Sequence, residues 1–170
     1  MRRKVQVVPY RQQWEADYIR ECSNLKNVLG NSEASFYHIG STAIPEMSAK
    51  PVIDIMGSIK RIEEIDPFML ELQTMGYESK GEFGIPGRRF FQKGGNSRSH
   101  HLHIFQQGSV EIVRHLAFRD YLRSHTEEAL RYRRLKEQLA EQHPYNIEAY
   151  MEGKKELITE IEKKALRWYR

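Results

Sequence analysis

The chain has 170 residues, 39% hydrophobic and 29% charged, with a net charge of +4, enough for one domain with its own core. Its single cysteine, Cys22, excludes an internal disulfide framework and fits a reducing cytoplasm. No apolar run approaches the roughly 20 residues that a membrane span needs, and there is no dense basic block of the kind that marks a dedicated nucleic-acid binder.

Val5–Val8 reads as a short strand ended by Pro9. Trp14, Tyr18, Cys22, Leu25 and Leu29 then recur at three- and four-residue steps, which predicts an amphipathic helix stopped at Gly30-Asn31. Phe36–Ile39 and Pro51–Ile59 read as strands, and Ile62, Ile65, Met69 and Leu72 as a second helical stripe closed by Gly76. Tyr77–Phe83 reads as a strand, GIPGRR as a turn, Arg89–Lys93 as a strand, Gly94–Ser97 as a hairpin loop and His101–Gln106 as a strand. Helices follow: one on which Val110, Val113, Ala117 and Tyr121 share a face, then Thr126–Gln142 and Ile147–Trp168. The order implies an α+β fold in a single domain, 1–170. A mixed sheet of four to six strands packed with helices fills about 1–108, and a helical C-terminal third about 109–170.

The stretch HIGSTAIPEMSAKPVIDI, His38–Ile55, breaks a strand at Gly40-Ser41 and resumes it around one acid, Asp54. Gly40 lets a ligand approach the backbone closely. Ser41 and Thr42 bring hydroxyls to the start of a turn whose N–H groups suit an anion. Val52, Asp54 and Met56 share one strand face, and a carboxylate there needs a partner. A Mg²⁺ ion shared with a substrate phosphate would be one such partner; a neighbouring loop or an arginine would be another. The mildly basic charge also favours a phosphorylated partner.

The same stretch resembles the signature of the GrpB family. The resemblance extends to VVPYRQQW, HLHIF, RHLAFRDYLRSH and AYMEGKKELITEIEKKALRW, and so covers nearly the whole chain. It implies a nucleotidyltransferase-like fold, whose pattern is Gly-Ser, roughly ten residues, then Asp-x-Asp or Asp-x-Glu. Carried onto this chain, Gly40 and Ser41 match the phosphate-binding pair and Asp54 the first carboxylate. The second carboxylate is replaced by Met56. The resemblance thus implies a nucleoside triphosphate or another phosphorylated small molecule as ligand, with metal-dependent nucleotidyl transfer as one outcome. The alternative is a binding module that has lost its second metal ligand.

Other residues can complete the site. His101 and His103 share a strand face and can join Asp54 around a metal; that set suits a transition metal such as Mn²⁺ or Zn²⁺ better than Mg²⁺, the ion that the nucleotidyltransferase resemblance implies first. His103 can also serve with Asp54 in acid–base chemistry, or both can be strand histidines bonded to their neighbours. His38, Lys50 and Arg89 are further candidates for holding phosphate, with Arg88 beside Arg89. Asp54 and the Gly40 turn are expected to look into one hollow.

Overall fold

The computed structural model describes residues 3–170. Its helices and strands sort into two compact units, each assembled from separated stretches of chain. The first contains Gln13–Ile39 and Val52–Ile112; the second contains the residues up to Gln12, Gly40–Pro51 and Val113–Arg170.

The first unit begins with helix α1, Gln13–Leu29, which buries Trp14, Cys22, Leu25 and Leu29 as the spacing predicts. Glu21 lies in the same stripe and is also buried. Lys93 donates to it over 2.7 Å and the Tyr77 hydroxyl over 2.8 Å. Burial alone would raise its carboxyl pKa; those hydrogen bonds, with the charges of His100 and Lys93, hold it below the ordinary value.

Strands β1 (Ser35–Ile39), β2 (Ile53–Ile59), β3 (Tyr77–Ser79), β4 (Arg89–Lys93) and β5 (His100–Gln106) form one sheet in the order β1-β2-β5-β4-β3. Only β2 and β5 run parallel. Strand β2, IDIMGSI, is buried at every position except Asp54. A central strand covered on both faces reads as such a continuous apolar run.

Three expectations shrink. The Tyr77–Phe83 strand ends at Ser79, because Gly81, Phe83 and Gly84 all take positive φ. The helical stripe from Ile62 becomes a 3₁₀ segment, Ile62–Phe68, before the short helix α2, Met69–Thr74. Pro67 lies inside that segment and has no N–H to donate. Val5–Val8 is not a strand: only Val8 pairs, with Ala49, in the second unit.

The second unit is built on α3 (Val110–Ser124, whose first residues lie in the sheet unit), α4 (Thr126–Gln142) and α5 (Ile147–Trp168). Ala117, Tyr121, Leu122, Tyr132, Leu157, Ile161 and Ala165 form its core, joined by Ile44 and Met47 from the 40–51 segment. Arg123 holds that segment by donating to the Ala43 carbonyl over 2.9 Å. Asn146 caps α5, its side-chain oxygen accepting from the Ala149 N–H at 3.1 Å. Replacing Asn146 with Ala leaves that amide without its acceptor and is expected to lower stability by about 1 kcal/mol in urea unfolding.

Candidate functional site

The parallel register of β2 and β5 sets Asp54 opposite His101 and Met56 opposite His103. The period-two alternation of strands therefore gathers Asp54, His101 and His103 on one face. His103 Nε2 lies 3.1 Å from Asp54 Oδ1, and His101 Nδ1 lies 3.3 Å from the same oxygen. Burial would push the Asp54 pKa up, but the hydrogen bonds it accepts from His101 and His103 win and hold it far below the ordinary carboxylate range.

The far side of each ring meets an arginine. Arg88 Nη1 lies 3.2 Å from His103 Nδ1, and Arg98 Nη1 lies 3.5 Å from His101 Nε2. Arg88 is itself buried, and it donates to the Glu82 and Phe83 carbonyls over 3.1 and 2.7 Å. Phe90 floors the cluster, with ring centroids 5.4 Å from His101 and 5.0 Å from His103 and the Arg88 guanidinium 4.5 Å above it.

This donor set does not suit Mg²⁺, which prefers near-octahedral oxygen ligands. One carboxylate is present, and the residue two positions on is Met56, fully buried. Among the described residues no group of three His, Cys, Asp or Glu side chains is arranged to hold a metal ion.

A second cluster lies in the helical unit. Gly40 turns the chain at φ +73°, a backbone conformation that glycine favours, and Ser41–Ala43 follow as a 3₁₀ turn. Lys136 of α4 donates to Ser41 Oγ over 2.7 Å. Lys136 is only 1% exposed. Its Nζ also sits 4.5 Å above the Tyr132 ring, and among the described residues it makes no ion pair. Burial, reinforced by the charges of Lys154 and Lys50, pushes its pKa well below the usual lysine range. Lys50 and Lys154 both reach the Tyr150 ring, at 5.6 and 4.8 Å. Three lysines therefore gather with Ser41 beside Lys136, and Glu137 only partly offsets their charge.

Of the sequence candidates, Asp54, His101 and His103 come together in the sheet unit, and Gly40, Ser41, Thr42 and Lys50 lie in the helical unit. Thr42 is buried. Two candidates are placed elsewhere. His38 pairs with Ile55, so it lies on the sheet face opposite Asp54, where it stacks on Tyr18 of α1 at 4.7 Å. Arg89 pairs with Ile104, on the face opposite His103, and its Nε lies 3.5 Å from Asp66. Arg88, its neighbour, is the arginine at the histidines. Lys136 and Arg98 were not anticipated. Lys136 has a sequence signal: with Tyr132 and Leu139 it continues the buried stripe of α4, a position where lysine needs a reason. For Arg98, in a glycine-rich hairpin loop, no pattern in the sequence marks the role.

The GrpB protein family profile matches residues 4–164. UPF0157 protein YqkA of Bacillus subtilis is 47% identical over 167 residues, which cover 98% of this chain and 49% of YqkA, so the chain spans about half the length of that relative. The crystal structure of conserved protein GrpB from Enterococcus faecalis superposes with a TM-score of 0.93 at 43% identity, over 96% of this chain and 99% of that one. The Cid1 poly(U) polymerase in its MgGTP-bound structure superposes with a TM-score of 0.56 at 14% identity, over 79% of this chain and 44% of Cid1, a likeness of fold alone. The mixed sheet and its helices are thus of nucleotidyltransferase-like architecture. No helix among the described residues is long and apolar enough to cross a membrane. From a profile that spans almost every residue and a solved relative that superposes nearly end to end, it follows that this chain belongs to the GrpB family.

Proposed function

We propose that this chain binds a phosphorylated ligand through Ser41 and Lys136, with Gly40, Thr42, Lys50 and Lys154 around them, and that nucleoside triphosphates are the class to try first. The single observation that carries the reading is the 2.7 Å hydrogen bond from buried Lys136 to Ser41, with two more lysines nearby. Burial and the charges of Lys154 and Lys50 outweigh the attraction of Glu137 at Lys136, so its ammonium form is under-compensated. A phosphate group supplies the missing counter-charge, accepting from the ammonium and from the Ser41 hydroxyl at once. Gly40 leaves the approach to that hydroxyl free of a side chain. The fold supports the nucleotide class, because the Cid1 poly(U) polymerase, of the same architecture, binds MgGTP.

Nucleotidyl transfer with Mg²⁺ is a second reading, favoured by Asp54 at the first-carboxylate position of the pattern. Met56 weighs against it, since a two-metal site spreads its charge over several acidic ligands. Asp54 and His103, with His101, are the residues on which such chemistry would rest.

The test is thermal unfolding with ATP, GTP, CTP and UTP, each with Mg²⁺ and each with EDTA. A ligand at 100 times its Kd stabilises by about 2.7 kcal/mol through mass action, and a rise in Tm with at least one nucleotide is expected. No rise with any nucleotide, or with inorganic phosphate or pyrophosphate, rejects the binding reading. Pyrophosphate released from a nucleotide in the presence of Mg²⁺, and lost in Asp54→Ala, would favour transfer.

A further inference from the structure

We propose that Arg88 and Arg98 close the Asp54 site to divalent metal ions, making it a metal-free clamp in which both histidines donate to Asp54 instead of ligating a metal.

A guanidinium carries only donors. Arg88 Nη1 at 3.2 Å from His103 Nδ1 therefore makes that nitrogen the acceptor, and the ring proton sits on Nε2, aimed at Asp54 Oδ1 3.1 Å away. Arg98 Nη1 does the same to His101 Nε2 at 3.5 Å, leaving the proton on Nδ1, 3.3 Å from the same carboxylate oxygen. Both lone pairs point at arginines and both protons at Asp54. A metal requires the reverse: each lone pair on the ion, and each outer N–H donating to a carboxylate, carbonyl or water. Neither ring can turn to that tautomer without setting an N–H against an arginine N–H.

The arginines are held in place by backbone. Arg88 spends its other donors on the Glu82 and Phe83 carbonyls, and Arg98 Nε donates to the Gly95 carbonyl at 3.2 Å. The positive charge of both guanidiniums opposes a divalent cation at the rings as well.

The test uses the full chain stripped with EDTA and titrated with Co²⁺ and Mn²⁺, followed by calorimetry and, for Co²⁺, by its visible absorption. Wild type is expected to show no saturable binding that depends on Asp54. In the double variant Arg88→Gln, Arg98→Gln, each amide oxygen can accept the outer ring N–H, and Co²⁺ binding is expected to tighten by about 10- to 100-fold. Failure of the double variant to gain metal overturns the role given to the arginines. Stoichiometric Co²⁺ or Mn²⁺ binding by wild type that disappears in Asp54→Asn overturns the whole proposal. Should the double variant not fold, ¹⁵N-histidine spectra of wild type decide. The expected tautomers are Nε2–H for His103 and Nδ1–H for His101, and the opposite form of either rejects the clamp. None of these readouts involves a nucleotide, so they stand apart from the binding test above.

Discussion

Lys136→Met is expected to weaken phospholigand binding by about 100-fold, close to 2.7 kcal/mol, without weakening the fold. Methionine has nearly the length of lysine and no charge. The substitution removes an amine that is 1% exposed, lies over the Tyr132 ring and feels more repulsion from Lys154 and Lys50 than attraction from Glu137. Exchanging a buried charge for an apolar group of similar volume is often neutral or stabilising. Against this stands the loss of one donor to Ser41 Oγ, worth about 1 kcal/mol. The unfolding midpoint should therefore stay within about 1 kcal/mol of wild type or rise. A variant that unfolds far more easily would show that Lys136 serves the fold rather than a ligand. Proton uptake supplies a second readout. The free lysine has a depressed pKa, and a bound phosphate raises it again, so binding draws in a proton. Affinity is then favoured at lower pH and declines as pH rises through the pKa of the bound state. Calorimetry in buffers of different ionisation enthalpy measures that proton directly.

Asp54→Ala is expected to destabilise the sheet unit by about 3 kcal/mol, because it leaves two imidazole N–H groups, both turned by arginines toward one oxygen, without an acceptor. The sign of its pH dependence follows from the depressed Asp54 pKa. A carboxylate with a lowered folded-state pKa contributes stability that is fully present above its unfolded value, 3.8, and is lost as pH falls below that value. The stability gap between wild type and Asp54→Ala should thus be widest near neutrality and narrow steadily once the solution drops below about pH 4. A gap that stays constant from pH 6 to pH 3 would mean that the ionised carboxylate adds nothing to stability. Urea titrations at a series of pH values measure it.

Much of the sheet and all the long helices were legible, because each has one strong period. The α1 stripe from Trp14 to Leu29 and the unbroken apolar run of β2 around Asp54 could be read directly. The failures lie where two residues compete for one role. Positive φ at Gly81, Phe83 and Gly84 cut β3 short, and no alternation of side chains announces a backbone angle. In the site, His101 and His103 could be placed with Asp54, since strand alternation puts them two apart on one face. Which of Arg88 and Arg89 would join them depends on where β4 begins, a one-residue question, and a slip of one residue reverses every face. Lys136 was hidden for a different reason: a lysine among arginines and glutamates in α4 reads as solvated surface unless the buried stripe is traced through it.

The way the chain is shared between its two units bears on how it can be made and cut. The backbone passes from one to the other after Gln12, Ile39, Pro51 and Ile112, so neither can be excised as an uninterrupted fragment. On a ribosome the sheet has all its strands once residue 112 emerges, while Ile44 and Met47 still lack the helices that bury them. Until α5 is released they remain sticky. Cleavage between Gly40 and Pro51 would cut a segment whose unit is completed by residues both upstream, up to Gln12, and downstream, from Val113 on.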